Sequence, residues 1–364
     1  MDECLYWLWL ADAVGSKFRA AGELLRDYPC AAELYQDFRA GVRPEWLTAR
    51  AGARLEQTEP WQFEAMVDNC ILSGIAVLTP EDANFPARLR DLPDAPLVLY
   101  ATGSTDCLNG RRYVGMVGTR RPTVYGRNAC HDLALGAAKA GAVIVSGLAD
   151  GLDGVAQAAA VEAGMPTVGF LGTAIDKTFP QNHTELRRKV EALGGCILSE
   201  YGPGYPGRQQ GTFLARNRLI AGLSEVLCVA EARVKSGTAN TVAHAERYGR
   251  PVMAVPGSIY SAESEGTNAL LQQGRAGVVL RPDDLVERLH LHAPQMETPK
   301  AAMPELALSP QAGLLLEHLG PQPVGLDALC AAAGLSAPEA MVALMELQFS
   351  GKIRETPGRQ YRTL

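Results

Sequence analysis

At 364 residues, 47% hydrophobic and 20% charged, the chain has the composition of an ordinary globular protein, with room for two or three domains of roughly 100–200 residues. No run of about 18 uncharged apolar residues occurs, which excludes a membrane-spanning helix. A net charge of −6 does not advertise nucleic acid and does not exclude it, because affinity follows local potential rather than the sum.

The opening stretch MDECLYWLWLAD is apolar but carries Asp2, Glu3 and Asp12, with no basic region and no small-residue cleavage site, so it does not read as a signal peptide. Residues 1–75 read as a module of short helices. Ala20–Tyr28 and Pro60–Ser73 have helical periodicity, and Pro29, Gly41, Pro44 and Gly52 punctuate them. Val14-Gly15-Ser16-Lys17 has two readings: a helix-hairpin-helix turn with amides toward a phosphate, or a purely structural turn.

From 76 to 290 the pattern alternates strand and helix. Strands are expected at Tyr113–Val117, Ala142–Ser146, Thr167–Gly172, Cys196–Glu200, Val226–Glu231, Val252–Val255 and Gly277–Leu280. Continuous apolar runs of this kind mark a parallel sheet covered on both faces. Helices fit between them at Val124–Ala140, Leu152–Ala163, Thr184–Leu193 and Thr241–Tyr248. The fold class is α/β: a doubly wound, mostly parallel, Rossmann-like sheet, whose ligands belong at the carboxyl ends of the strands. Residues 291–308, with Pro294, Pro299 and Pro304, read as a linker. In 309–364, Ser309-Pro310 and Ser336-Ala337-Pro338-Glu339 are helix starts, and Lys352–Glu355, Pro357-Gly358 and Gln360–Arg362 make a hairpin. Three helices and a hairpin suggest a winged helix.

The eight cysteines, at 4, 30, 70, 107, 130, 196, 228 and 330, form no CxxC. They read as reduced core residues of a cytosolic protein, and no disulfide, metal or cofactor is expected.

The turns after the strands carry the candidate site. Gly118-Thr119-Arg120 follows the first of the expected strands; either its glycine admits a ligand to backbone amides and the next helix N-terminus, or it only permits a tight turn. A third glycine and an acidic residue after the second strand are both missing, which argues against a nicotinamide site, and no GxxxxGK[ST] occurs. Ser146-Gly147 and Gly172 clear space at the edge; Asp153 is a cap or a contact. His183 is a phosphate ligand or a surface or structural residue, and Phe213 stacks on a base or packs at a helix entry. In Arg216-Asn217-Arg218, Arg216 falls on the stripe of Leu219, Ile220 and Leu223 that should face the sheet. A buried arginine needs an anion: Glu200 and Glu231 as orienting carboxylates, a phosphate, or both. Arg218 points about 200° round, to a neighbouring phosphate or to water. Lys235-Ser236-Gly237 opens a further helix and completes the phosphate-friendly set. Glu200 and Glu231 could be a catalytic dyad, but no GxSxG elbow, HExxH or His/Cys cluster accompanies them. A binding module is preferred to an enzyme.

These pieces in order, VGTRRPTVYG (117–126), SGLADGLDGVA (146–156), GTAIDKTFP (172–180), LSEYGPG (198–204), FLARNRLIAGLS (213–224), EARVKSGTANTVAHAERYGRPVMAVPGS (231–258) and GTNALLQQGRAGVV (266–279), resemble the bacterial DNA-processing protein A family (DprA, or Smf). The resemblance implies an extended Rossmann-like core, a helical SAM-like module before it and a winged helix after it. It implies a non-enzymatic binder of single-stranded DNA that protects incoming DNA, loads RecA recombinase during natural transformation and dimerises, with Leu270 and Leu271 at the interface. Asp150 stands where the family usually has arginine, Gln157 where it has histidine, Leu214 where it has proline, and Gln181 where a basic residue is common. Residues 305–364 carry four basic against six acidic residues, and helix 337–349 has no Lys or Arg, so helix-led groove reading is not expected there. Two other readings stand beside this: an enzyme on nucleotides or sugar phosphates, and a partner-docking protein that binds no oligonucleotide.

Overall fold

In a computed structural model of the chain, the apolar runs beyond residue 76 assemble into one nine-stranded sheet. The structure describes residues 3–16, 18–206, 210–291, 308–320, 322–350, 352–356 and 360–363. Helices α1 (Cys4–Val14), α2 (Ala21–Asp27), α3 (Ala31–Arg39), α4 (Ala49–Gln57) and α5 (Glu64–Leu72) come first. α1 is apolar on all sides and is accordingly buried, with Leu5, Trp7, Leu8, Trp9 and Leu10 inside. The Trp9 indole N–H donates to the carbonyls of Leu55 and Thr58 at 3.2 and 3.0 Å, so its burial leaves no donor stranded. Gly15 caps α1 with φ 71°, and its N–H donates to Ala11, so that amide is not turned toward a ligand. Lys17, part of the expected turn, lies outside the described residues.

The sheet follows as β1 (Ala76–Leu78), α6 (Ala87–Arg90), β2 (Leu99–Gly103), β3 (Arg112–Val117), α7 (Val124–Lys139), β4 (Ala142–Ser146), α8 (Leu152–Glu162), β5 (Thr167–Leu171), α9 (Thr184–Ala192), β6 (Cys196–Ser199), α10 (Gln210–Leu223), β7 (Val226–Val229), α11 (Gly237–Arg247), β8 (Val252–Ala254), α12 (Glu265–Gln272), β9 (Gly277–Val278) and α13 (Pro282–Arg288). The strand order is β1-β2-β6-β5-β4-β3-β7-β8-β9, parallel from β6 to β9. β1 and β2 form an antiparallel edge. Short strands inside a proline-rich stretch escaped the sequence reading. α11 begins at Gly237, a turn earlier than expected.

Strand order reverses between β3 and β7, where Val117 pairs with Val229. Such a switch point opens a crevice at the carboxyl ends. One face packs on α7, α8 and α13 around Met116, Cys130 and Ile144. The other face shares its core with the N-terminal helices, through Trp7, Leu89, Leu99, Phe170 and Leu219 among others. Residues 1–294 accordingly cluster as one compact unit and 295–364 as a second.

The second unit holds α14 (Pro310–Glu317), β10 (Val324–Gly325), α15 (Leu326–Ala333), α16 (Ala337–Phe349), β11 (Ile353–Thr356) and β12 (Gln360–Thr363), with sheet order β10-β12-β11. Ser309 Oγ accepts the Ala312 N–H at 3.2 Å, and Ser336 with Glu339 forms a capping box, as the helix starts required. Leu315, Leu329, Leu344, Leu347 and Ile353 make its core. The Pro357-Gly358 turn and Arg359 lie outside the described residues. Among the described residues no single helix is long and apolar enough to cross a membrane.

Candidate nucleic-acid interface

At the switch point the two turns lock onto each other. Glu231, 1% exposed, accepts the Thr123 N–H at 2.9 Å and its hydroxyl at 2.6 Å. Thr123 is the N-cap of α7 and accepts the Gly126 N–H at 3.1 Å. The Glu231 carbonyl accepts the Thr119 N–H at 2.8 Å, and the Thr119 carbonyl accepts that of Leu152. A side chain on Gly118 would meet Leu152 at 2.4 Å, so glycine is needed there for helix packing. This corrects two expectations. The N-terminus of α7, which favours an anion, already holds a carboxylate of the protein. Glu231 orients Thr123 and no arginine.

Arg216 lies on the buried stripe as read, 3% exposed. Its Nη1 donates to the carbonyl of Gly147 at 2.7 Å and to that of Phe170. The carboxylate beside it is Asp153, which accepts the Gly147 N–H at 3.1 Å. A Cβ on Gly147 would lie 2.3 Å from the Arg216 guanidinium and 2.5 Å from Asp153. Burial pushes Asp153 up to about 6, against the opposing pull of Arg216 and Arg120, and burial lowers Arg216 to about 10. Ser146 is buried and spends its hydroxyl on Met116 at 2.6 Å.

Arg218 is also buried, at 4%, and binds Glu200 through both terminal nitrogens at 2.7 and 2.6 Å. Its Nε donates to the Asp94 carbonyl at 3.1 Å. Burial pulls its pKa down, but the charge and hydrogen bonds of Glu200 outweigh that and raise it. The expected contact of Arg218 with phosphate or water is therefore corrected: it is a core ion pair, and Glu200 serves Arg218 rather than Arg216. The two glutamates hold different partners, Arg218 and Thr123.

Arg120 is exposed, with its guanidinium 5.7 Å from the Phe213 ring centre. Phe213 is half-buried, rests on Gly172 and meets Phe179 at 5.7 Å. Thr212, beside it, donates to the Gly172 carbonyl at 2.6 Å. His183 is half-buried, and its Nδ1 faces the Leu148 carbonyl at 3.0 Å. A carbonyl only accepts, so Nδ1 carries the hydrogen and Nε2 is left for another partner. Leu148 itself has φ 51°, the left-handed region, held by the Gln157 side chain accepting its N–H at 2.8 Å.

Asn217 connects the arginines to the next helix. Its side chain accepts from Arg216 Nε at 3.3 Å and donates to the Gly237 carbonyl and to Asn240. α11 thus starts beside the cluster. Its N-cap Ser236 makes no capping bond and keeps its buried hydroxyl unpartnered, while Lys235 and Gly237 are exposed. Among the described residues, the groups open to a phosphate strand include Arg120, Lys235, His183 and the α11 terminus, with Phe213 and Phe179 as ring surfaces. Lys177, exposed in the loop before Phe179, was missed; a single lysine in a polar loop gives no sequence signal. On α12, Leu270 and Leu271 are both half-buried, and Leu270 packs on the core.

Comparison with known proteins agrees with this geometry. Residues 76–290 match the model of DNA recombination-mediator protein A, and 299–359 that of the DprA winged helix domain. A DNA processing protein DprA of Mycobacterium tuberculosis is 35% identical over 301 residues, 79% of this chain and 76% of its own. Smf of Escherichia coli is 33% identical over 297 residues, 78% and 77%. DprA of Streptococcus pneumoniae superposes with a TM-score of 0.66 at 29% identity, covering 79% of this chain and 98% of that one. DNA processing protein A of Helicobacter pylori, solved for its single-stranded DNA binding mode, gives 0.54 at 35% identity over 60% and 97%. A chain whose α7 terminus is closed by a carboxylate, whose α10 carries two buried arginines and whose sheet domain is followed in sequence by a winged-helix domain thus belongs, by sequence as well as architecture, to the DNA recombination-mediator protein A family, the DprA/Smf proteins.

Proposed function

We propose that this chain binds single-stranded DNA along the carboxyl edge of its sheet, protects it and loads RecA recombinase onto it during natural transformation, in the cytoplasm and without catalysis. The observation that carries the reading is an exposed Arg120 over the half-buried Phe213 ring, beside the uncapped start of α11. A guanidinium, a helix terminus and a ring surface suit phosphate and base of any sequence. Binding should show little sequence preference and weaken with salt, at a log–log slope of about −0.7 per phosphate neutralised. A gel-shift comparison of single- and double-stranded oligonucleotides at two salt concentrations tests this. Arg120→Ala should weaken binding and flatten the slope with the circular dichroism unchanged; wild-type affinity in that variant sinks the site. Hydrolysis of nucleoside monophosphates would overturn the non-catalytic reading, and failure to promote RecA assembly on single-stranded DNA the loading reading.

The chain acts as a homodimer through α12, where one of two adjacent leucines packs inward and Leu271 meets the second copy. Two DNA tracks on one particle raise avidity for a long strand. Leu271→Glu should sediment as a monomer; a variant that stays dimeric places the interface elsewhere.

A further inference from the structure

We propose that the N-terminal helices form a second strand-binding surface: single-stranded DNA runs on from the sheet edge into the cleft between those helices and the end of β6. This rests on the reading that the sheet edge itself takes single-stranded DNA.

The cleft holds about 980 Å³ and is bordered by α1, the segment after it, the start of α4 and residues 200–205. Its charge is biased toward an anion. Two carboxylates line it, and each is already neutralised: Glu200 by Arg218 at 2.6 Å and Asp12 by Arg54 at 2.6 Å. Arg19 and Arg50 line it too, are exposed, and enter no ion pair among the described residues. Two uncompensated cations over a neutralised floor suit the phosphates of a strand.

Its walls offer ring surfaces. Tyr205 is half-buried and lies 4.7 Å from the buried Tyr201 ring, whose hydroxyl meets Ser16 of the helical segment at 2.9 Å, joining the two walls. Across the cleft Trp46 stands edge-on to Phe18 at 5.5 Å. The Trp46 indole N–H is buried without a hydrogen bond.

The cleft is continuous with the sheet-edge site. Tyr205 lines both it and a neighbouring cavity of about 550 Å³ that also contains Lys177 and Phe179. Phe179 meets Phe213, which carries Arg120. Ring surfaces and cations together line the path from Arg120 to Trp46, the two kinds of group that a sequence-tolerant single-strand track uses. A duplex cannot offer unstacked bases to such rings.

The test is a fluorescence titration of the full chain with thymidine oligomers of about 6 and about 25 nucleotides, on either side of common single-strand site sizes. Arg19→Glu combined with Arg50→Glu changes only exposed side chains. It should weaken the long oligomer about tenfold or more and the short one less than about twofold, with a flatter salt slope for the long strand alone. The long oligomer should also quench Trp46 emission, a signal lost in Trp46→Phe; the short one should not. Equal effects of the double variant on both lengths, or none on either, overturn the cleft, as does quenching that survives Trp46→Phe. Arg120→Ala reports separately: it should weaken both lengths, and wild-type binding there rejects the sheet-edge reading whatever the cleft does.

Discussion

Glu231 accepts two hydrogen bonds from Thr123, one from its N–H at 2.9 Å and one from its hydroxyl at 2.6 Å. A carboxylate thereby stands at the N-terminus of α7, the helix after the strand at the switch point, the position that holds pyrophosphate in dinucleotide-binding sheets of this topology. The protein supplies its own anion where dinucleotide-binding sheets take a ligand. Hydrogen bonds to an ionised acceptor are worth about 1.5–3 kcal/mol each. Glu231→Leu removes the acceptor of both the Thr123 N–H and its hydroxyl and should lower the unfolding free energy by about 2 kcal/mol or more. Urea denaturation reads this directly. An unchanged midpoint would mean that the carboxylate is dispensable and the α7 terminus a candidate anion site after all.

Arg218 and Glu200 make the second structural ion pair, with side chains 5% and 6% exposed. Removing one partner strands a buried charge, at about 3–5 kcal/mol, whereas removing both can be nearly neutral. Arg218→Met and Glu200→Leu should therefore each destabilise strongly, and the double variant less than either. A denaturation cycle measures the coupling. If Arg218→Met stays as stable as wild type but loses DNA affinity, Arg218 is a contact and its assignment to the core is mistaken.

Burial raises Asp153 from 3.8 to about 6. The sign follows from linkage. Between about pH 4 and pH 6 the folded protein keeps a proton that the unfolded chain has released, so the contribution of this group to stability is present at low pH and is lost as pH rises through that window. Asp153→Asn cannot titrate and keeps an acceptor for the Gly147 N–H. The stability difference between wild type and variant should shift by up to about 3 kcal/mol across the window, in favour of the variant at higher pH. Denaturant midpoints at several pH values between 4 and 7 decide it. A difference independent of pH would show that Asp153 is ionised throughout, held by Arg216.

The strands were legible because β-branched runs flanked by glycine have few other uses, and β4 was placed to the residue. α10 shows where sequence reasoning stopped. The helical wheel found that Arg216 faces the sheet, but it assumed one buried face. α10 has two: Leu219 and Ile220 are buried, and a Cβ on Gly222 would lie 2.4 Å from Leu92 in the segment that crosses the helix's other side. That segment also brings Asp94 to Arg218. No local pattern reveals a covering loop that lies more than a hundred residues away in the chain. The same burial alters what Arg216→Ala means. It would leave the carbonyls of Gly147 and Phe170 without their donor, so a loss of stability is expected along with any loss of affinity.

The second unit bears on how much of the DNA affinity lies beyond residue 290. α16 exposes Met341, Val342 and Met345 and carries no Lys or Arg, so the face it offers to solvent is apolar rather than cationic. Residues 305–364 have four basic against six acidic residues, and the cations fall at 352, 354, 359 and 362. The first unit has its own core and contains Arg120, Lys235 and the α11 terminus. Deleting residues 291–364 should therefore leave most single-strand affinity in place, with a change in dissociation constant below about tenfold for a short thymidine oligomer. The opposing view gives Arg354 and Arg359 a second contact, which would add affinity chiefly for longer or duplex strands. A loss of more than about 2 kcal/mol on the short oligomer, roughly thirtyfold in Kd, would make the winged helix a main DNA site despite its charge.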